Sequence, residues 1–341
     1  MTAMGEGKAL LVPVVVAAVL GAWALAKGPE PIQARFAAQT QASRWGKDYL
    51  PNLPVVDQDG KTYRFYDDLI KGKKVIVNFV FTSCTDICPL TTARMAQLQE
   101  KLGDMVGRDV FMYTITVDPE HDGPAELKRY ADAFHVAPGW RFLTGKPADL
   151  QIIRDKLGER AKTKSEHRHE MLLGNDEIGD WSKESAYGDL DRVVMDVRAM
   201  DPSWQLPETP VPIMTVGDAT YAEVNDKPGE ALFVKACASC HTIGHGDKVG
   251  PDLLDVSNRR EHAWLTSFVS RPDRMMAGPD AAVAALIARF PAVRMPNLGL
   301  SEQDAGDVLA YIEAQSYASK TMLAHGSTSI NNAEHAGHHH Q

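Results

Sequence analysis

The chain has 341 residues, of which 44% are hydrophobic, and its formal net charge is -9 at pH 7. This length suits about two domains of roughly 100 to 200 residues each, and the apolar content excludes disorder throughout. An acidic chain offers no basic surface for a phosphate backbone, so nucleic acid is not expected as a partner. The 4 cysteines fall into two close pairs, Cys84/Cys88 and Cys237/Cys240, which indicates local chemistry instead of distant cross-links.

The amino terminus has the layout of an export signal. Lys8 precedes an apolar run from Ala9 to Ala26 that ends in small residues. The length of the run lies at the lower edge of what a bilayer-spanning helix needs, so residues 1–27 are predicted to be either a signal peptide or a membrane anchor. We therefore expect an exported protein on the periplasmic side of the inner membrane, anchored there or released after cleavage.

Residues 42–200 are predicted to form an α/β domain that opens with a hairpin at Asp59-Gly60. The runs VIVNFVF (75–81) and VFMYTITV (110–117) read as strands covered on both faces, and a helix that follows Pro89 separates them. Strand, helix, strand implies a parallel pair of strands. Further helices are expected at 124–134 and 147–157, and further strands at 140–143 and 171–173.

A proline-rich stretch, residues 201–228, is predicted to be an extended linker. A small all-α domain follows at 229–317, and its last helix, 301–315, is capped by Ser301. Residues 318–341 contain too few apolar residues to fold alone, so we expect a disordered tail. The tail is rich in histidines, which could hold Cu or Zn transiently or have no specific role: His325, His335, His338, His339 and His340.

The first motif, Cys84-Thr-Asp-Ile-Cys88-Pro89, joins a buried strand to the start of a helix. A helix amino terminus favours negative charge, so it lowers thiol pKa values and makes thiolates available to a metal or to disulfide exchange. Soft thiolates prefer Cu(I) or Zn, and a histidine would complete a three-coordinate copper site. The alternative is a stabilising disulfide, although a loop this short constrains the unfolded chain only weakly.

NFVFTSCTDICPLTTARM and the later TVDPEHDGPAELKRYADAF together resemble the Sco/SenC family of thioredoxin-like copper proteins, over roughly residues 42–200. The resemblance implies a thioredoxin-like fold and a copper site made by Cys84, Cys88 and one histidine before a late strand. His167 and His169, in SEHRHEMLLGND, are both candidates for that histidine, where the family usually has a single acid-histidine pair.

Asp118 and Asp122 lie in the DPEHD stretch that carries part of this resemblance. Their carboxylates could shape the metal pocket, or they could form a turn and cap the helix that begins at Pro124.

The second motif, Cys237-Ala-Ser-Cys240-His241, is the attachment signature of c-type haem, in which both thiols form thioethers and the histidine binds the iron. A zinc knuckle or a redox C-x-x-C is the alternative, but no second ligand pair lies nearby. Met295 is predicted to be the second iron ligand. Two other methionines that also precede a helix are its rivals, Met275 and Met276.

Residues 229–315 resemble the small class I cytochrome c domain. By that likeness Gly229 and Phe233 on the first helix meet Tyr311 on the last helix in a helix crossing. The same likeness implies that Gly250 lies in the loop over the histidine side of the haem.

These features predict an exported copper-binding metallochaperone with a fused c-type haem electron-transfer domain, and thus copper and haem c as cofactors. The Sco/SenC resemblance implies copper-centre assembly of cytochrome c oxidase, with the oxidase copper-site subunit as partner, a redox partner for the haem domain, and the membrane at the amino-terminal helix.

Two alternatives stay open. In the first, the protein is a thiol-disulfide oxidoreductase in which Cys84 or Cys88 is the nucleophile that reduces cysteines of the oxidase subunit, with haem as electron source. A haem moves one electron at a time, which matches Cu(II)/Cu(I) slightly better than a two-electron dithiol couple. In the second, it is a plain electron carrier whose first domain only docks a partner. A conventional metabolic enzyme is not expected.

Overall fold

The computed structural model describes residues 45–161, 163–167, 169–205 and 228–334. The predicted signal or anchor at residues 1–27, most of the predicted linker and the last histidines of the tail lie outside these ranges. Within the described ranges, no helix is both long enough and apolar enough to cross a bilayer.

The described part of the first domain is built on one mixed sheet of seven strands. The strands are β1 Pro54–Asp57, β2 Thr62–Arg64, β3 Lys74–Val80, β4 Val110–Thr116, β5 Trp140–Thr144, β6 Glu170–Asn175 and β7 Asp180–Ser185. Their order across the sheet is β2-β1-β5-β4-β3-β6-β7. The pairs β3-β4 and β4-β5 are parallel and the other pairs are antiparallel, so the predicted parallel pair is confirmed at the centre of the sheet.

Helices connect the strands and cover the sheet. They are α1 Cys88–Leu102, α2 Pro124–Ala133, α3 Pro147–Lys156 and α4 Leu190–Ala199, with single turns at Phe65–Ile70, Gly103–Met105 and Lys164–Glu166. Helices α1, α2 and α3 each carry a proline in the first turn, where a missing N–H breaks no helical hydrogen bond. These prolines therefore determine where the helices begin, including the helix that starts at Cys88.

Strand β3 is buried on both faces, which explains its continuous apolar sequence. Ile76 and Val80 belong to the core cluster that contains residues of α1, α2 and α4. Val75, Val77 and Phe79 belong to a second cluster with residues of the 65–70 turn and α3. Successive side chains of a strand point to opposite faces, so one strand contributes to both halves of the core and ends at the cysteine loop.

The sequence pattern does not predict β7 or α4. Strand β7, DWSKES, is a mostly exposed edge strand without an apolar face, which is why periodicity misses it. Helix α4 does carry a signal. The carboxylate of Asp189 accepts a hydrogen bond from the Asp191 backbone N–H at 2.9 Å and so caps the helix.

The described residues from 228 onward are helical and lack strands. The helices are α5 Pro228–Leu232, α6 Val256–Arg259, α7 His262–Ser270, α8 Pro272–Ala277, α9 Ala281–Arg289 and α10 Glu302–Glu334, and a wide turn, Phe233–Cys237, follows α5. A Cβ on Gly229 would lie 1.9 Å from the carbonyl oxygen of Asp307, so only glycine lets α5 cross α10 this closely. The rings of Phe233 and Tyr311 lie 5.3 Å apart between centroids, which confirms the predicted crossing.

Helix α10 begins as predicted and continues further than predicted. Ser301 Oγ accepts a hydrogen bond from the Asp304 N–H at 3.1 Å, and Asp304 accepts one from the Ser301 N–H at 2.9 Å. The helix runs to Glu334, so the prediction of a disordered tail from residue 318 is wrong for residues 318–334. A helix that is already nucleated extends readily through helix-favouring residues, and ASKTMLA follows Tyr317.

Candidate functional site

Cys84 and Cys88 lie between the end of β3 and the first turn of α1. Both are free thiols in the structure and not a disulfide; Cys84 is 8% exposed and Cys88 has no exposed surface. The neighbouring Cys88 thiol, as a hydrogen-bond donor, lowers the pKa of Cys84 to about 6, and the pairing together with burial raises the pKa of Cys88 well above its ordinary value. Cys84 is therefore the thiol of the pair that loses its proton first.

Alkylation of Cys84 in the copper-free reduced protein is expected to become faster as pH rises through about 6, because only the thiolate is nucleophilic. Rates measured from pH 5 to pH 9 with a small alkylating reagent would show this midpoint. Cys88→Ala removes the hydrogen-bond donor and should move the midpoint upward toward that of an ordinary thiol, about 8.5. A wild-type midpoint already at that ordinary value would contradict the shared hydrogen bond.

His167 is the histidine that contacts the cysteine pair. Its Nε2 lies 3.1 Å from the Sγ of Cys88, although the two residues are far apart in the chain. The imidazole is 5% exposed, and it packs edge to face against Phe81 with 5.8 Å between ring centroids. The loop before β6 thus brings His167 to the cysteine end of β3.

His169 lies beside His167, with 4.5 Å between the ring centroids. Its Nδ1 is buried and has no hydrogen-bond partner among the described residues. Burial, and then the neighbouring His167, lower the pKa of His169 to about 4, so its ring is neutral at pH 7 and able to bind a metal ion. Both predicted histidines are therefore at the site, but His167 is the one in contact with a cysteine.

Two sulfurs and an imidazole nitrogen form a donor set that suits copper. Within the described ranges, however, no three His, Cys, Asp or Glu side chains are already arranged as a metal site. The donors are neighbours, and the side chains need to move to meet on one ion.

The DPEHD turn after β4 ties together the two loops that carry these donors. Asp122 is fully buried and accepts hydrogen bonds from the Thr82 backbone N–H, at 3.1 Å, and from the Thr82 hydroxyl. Asp118 accepts a hydrogen bond from Lys164, which lies in the turn just before the histidines. Of the alternative roles, the turn is present, since the Asp122 N–H donates to the Asp118 carbonyl oxygen at 2.9 Å. The capping of α2 is wrong, because its N-cap is Gly123 and no side chain caps it. The sequence carried no signal for the role of Thr82.

A cavity in the second domain is lined by all the predicted haem-binding residues, Cys237, Cys240, His241 and Met295. Much of the remaining lining is apolar and includes Leu265, Phe268, Val283, Leu309 and Ile312. Of the rival methionines, Met276 lines the same cavity, whereas Met275 lines a different one.

His241 is oriented for a metal ion in this cavity. Its Nδ1 donates a hydrogen bond to the carbonyl oxygen of Pro251 at 2.9 Å, which leaves Nε2 for the iron. A Cβ on Gly250 would lie 2.5 Å from Cε1 of His241, so glycine lets the loop pack on the ring as predicted. Burial raises the pKa of Cys237 to about 12 and that of Cys240 to about 11. The large apolar cavity beside these two thiols suits a haem better than a zinc knuckle, which needs four ligands around one ion.

The structure thus has two separate clusters, thiols with imidazoles on the α/β domain and a cavity lined by the C-x-x-C-H motif on the helical domain. Residues 39–176 match the SCO1/SenC family model, and residues 227–316 match the cytochrome c family model. The chain therefore contains a SCO1/SenC domain followed by a cytochrome c domain. The cytochrome c domain implies haem c as its cofactor.

Relatives match the first of these domains. Over 90 residues the chain is 40% identical to the SCO1 protein homolog of Bacillus subtilis. These residues are 26% of this chain and 45% of that protein. The copper-bound ScoI structure of Bradyrhizobium japonicum is 25% identical, with a TM-score of 0.37, over 44% of this chain and 99% of that one. BsSco is described as a member of the Sco family of cytochrome c oxidase assembly proteins. It is 28% identical, with a TM-score of 0.38, over 45% of this chain and 94% of the BsSco chain. The matched region thus spans less than half of the Bacillus subtilis protein.

Proposed function

We propose that this protein binds one copper ion through Cys84, Cys88 and His167 and acts in assembling the copper centre of cytochrome c oxidase. The observation that carries the proposal is the 3.1 Å contact between Cys88 Sγ and His167 Nε2, in the same buried cluster region as Cys84. Two sulfurs and one imidazole accommodate Cu(I) and also accept Cu(II). The SCO1/SenC match supports the oxidase role, with the oxidase copper-site subunit as the partner.

The cytochrome c domain is proposed to serve the same pathway as an electron-transfer module. Cys237, Cys240, His241 and Met295 would hold haem c, which when bound would supply electrons one at a time and so match the Cu(II)/Cu(I) couple. Methionine as the second ligand would raise the haem potential relative to a second histidine. A separate redox partner would exchange electrons with this domain. Export to the periplasmic side of the inner membrane, by a signal or an anchor at residues 1–27, belongs to the same proposal.

A second candidate function is thiol-disulfide oxidoreduction on cysteines of the oxidase copper-site subunit. The observation that favours it is the pKa of about 6 at Cys84, which makes this sulfur a nucleophilic thiolate at neutral pH. In that role Cys84 attacks a disulfide of the subunit, and Cys88 then resolves the mixed disulfide.

Two variants in the native host separate these functions. Copper delivery requires all three donors, so Cys84→Ser with Cys88→Ser, and His167→Ala by itself, should each leave the oxidase without copper and inactive. Disulfide exchange requires only the thiols, so His167→Ala should keep oxidase activity. Oxidase copper content and activity are measured, and the haem spectrum of each variant serves as the control. Normal copper content and activity of the oxidase in both variants would contradict both functions. A plain electron carrier would then be the remaining hypothesis.

A further inference from the structure

Apolar residues of the cytochrome domain pack onto the cysteine edge of the first domain. Val249, 6% exposed, belongs to the same buried cluster as Cys84 and Cys88, and Val293 and Cys240 pack against that cluster. All described residues from Trp45 onward belong to one compact unit.

The contact is also seen from the first domain. Pro89, which follows Cys88 in α1, lines the cavity that contains Cys237, Cys240 and His241. We define the docking interface as Pro89 on the first domain and Cys240, Val249 and Val293 on the cytochrome domain.

Tyr130 on α2 lies in the same contact region. It is 3% exposed and belongs to the buried cluster that contains Cys84, Cys88 and Val249, and Cys240 packs against that cluster. Residues of both cysteine motifs therefore meet at one buried cluster.

The docking interface is built from loops and a helix end. Cys240, Val249 and Val293 lie outside helices, and Pro89 lies in the first turn of α1. Interfaces between domains of one chain resemble transient protein interfaces, and a few loop side chains provide a small contact that can open.

We propose that the cytochrome domain is a reversible cover on the Cys84 and Cys88 pair, which shields the thiols when docked and exposes them to a metal ion or a protein partner when released. The cysteine pair lies at the end of a parallel strand, where α/β folds usually open a ligand site, yet it is almost fully buried here. The covering of the thiols requires no copper, so this proposal is tested independently of the proposed copper function.

The test measures alkylation of Cys84 in reduced, copper-free, haem-loaded full-length protein. The double variant Val249→Glu with Val293→Glu places two carboxylates in the apolar interface, where burying them is costly, so the domains should separate. We expect the alkylation rate to rise about tenfold or more because the open state becomes the main state. Val234→Glu, the same change at a residue 55% exposed on the same domain, is the matched control and should leave the rate unchanged. Equal rates in the wild type and the double variant would overturn the proposal.

The unaltered protein provides a second test, because Val249 and Val293 also line the haem cavity and the double variant could lose haem. Ferric haem broadens the NMR signals of nearby backbone amides. Docking predicts stronger broadening for Leu90, Thr91 and Thr92 in α1 than for residues 62–64 of β2, at the far edge of the sheet. Equal signals in the ferric and ferrous states for the α1 amides would overturn the proposal whatever the variants show.

Discussion

Replacing His167 by alanine is expected to weaken copper binding about 100-fold or more, because loss of an outer-shell group alone typically costs 10- to 100-fold in metal affinity. His167 Nε2 lies 3.1 Å from Cys88 Sγ, so the change removes the nitrogen donor nearest to the sulfurs. His169→Ala should weaken binding less than His167→Ala does, by about tenfold, since this ring contacts the site only through His167. Competition titration of the reduced, haem-loaded protein against a Cu(I) chelator measures both values.

The haem spectrum and the far-ultraviolet circular dichroism should be the same in the two histidine variants. That control separates a lost ligand from a lost fold. The reverse order of affinities would assign copper to His169 instead, whose buried Nδ1 has no hydrogen-bond partner among the described residues.

Replacing Gly229 by valine is expected to destabilise the cytochrome domain by about 3 kcal/mol or more, at the upper end of the usual range for overpacked sites. The new Cβ would lie 1.9 Å from the carbonyl oxygen of Asp307 and 2.5 Å from its carbonyl carbon. Both atoms belong to the backbone of α10, so no side-chain rotation relieves the clash. Urea unfolding followed by haem absorbance gives the free energy of unfolding.

Gly306→Ala is the matched control for Gly229→Val on the facing helix. No atom lies within 4 Å of the added Cβ at Gly306. Alanine there should stabilise α10 by about 0.5–1 kcal/mol, because glycine loses more conformational entropy in a helix. If Gly229→Val unfolded at the same urea concentration as the wild type, the close crossing of α5 and α10 would be wrong.

The elements that the sequence predicted well are those with a strong local pattern. Strands β3 and β4 were predictable because burial on both faces produces continuous apolar runs. Strand β7 was not predictable, since an exposed edge strand needs no continuous apolar run. The helix beyond Tyr317 was missed because its composition resembles that of a polar tail, while the structure extends it from a helix that is already formed.

Some features of the site could also be predicted from a local sequence pattern, and others could not. The two cysteine motifs could be found from spacing alone, because their ligands are close together in the chain. The sequence could not decide between His167 and His169, because residues two apart in an extended segment point to the same side. Only the folded loop brings one of them to Cys88, 79 residues earlier in the chain. The bond between Asp122 and Thr82 spans 40 residues, and the docking interface joins two domains, so no local pattern reveals either.

The most direct test of the copper site is X-ray absorption spectroscopy of the Cu(I)-loaded, haem-loaded protein beside its Cys84→Ser variant. The account predicts two sulfur donors and one nitrogen donor around copper in the wild type, and one sulfur donor fewer in the variant. Copper surrounded only by nitrogen and oxygen, or an identical spectrum in both proteins, would contradict a site made by Cys84, Cys88 and His167.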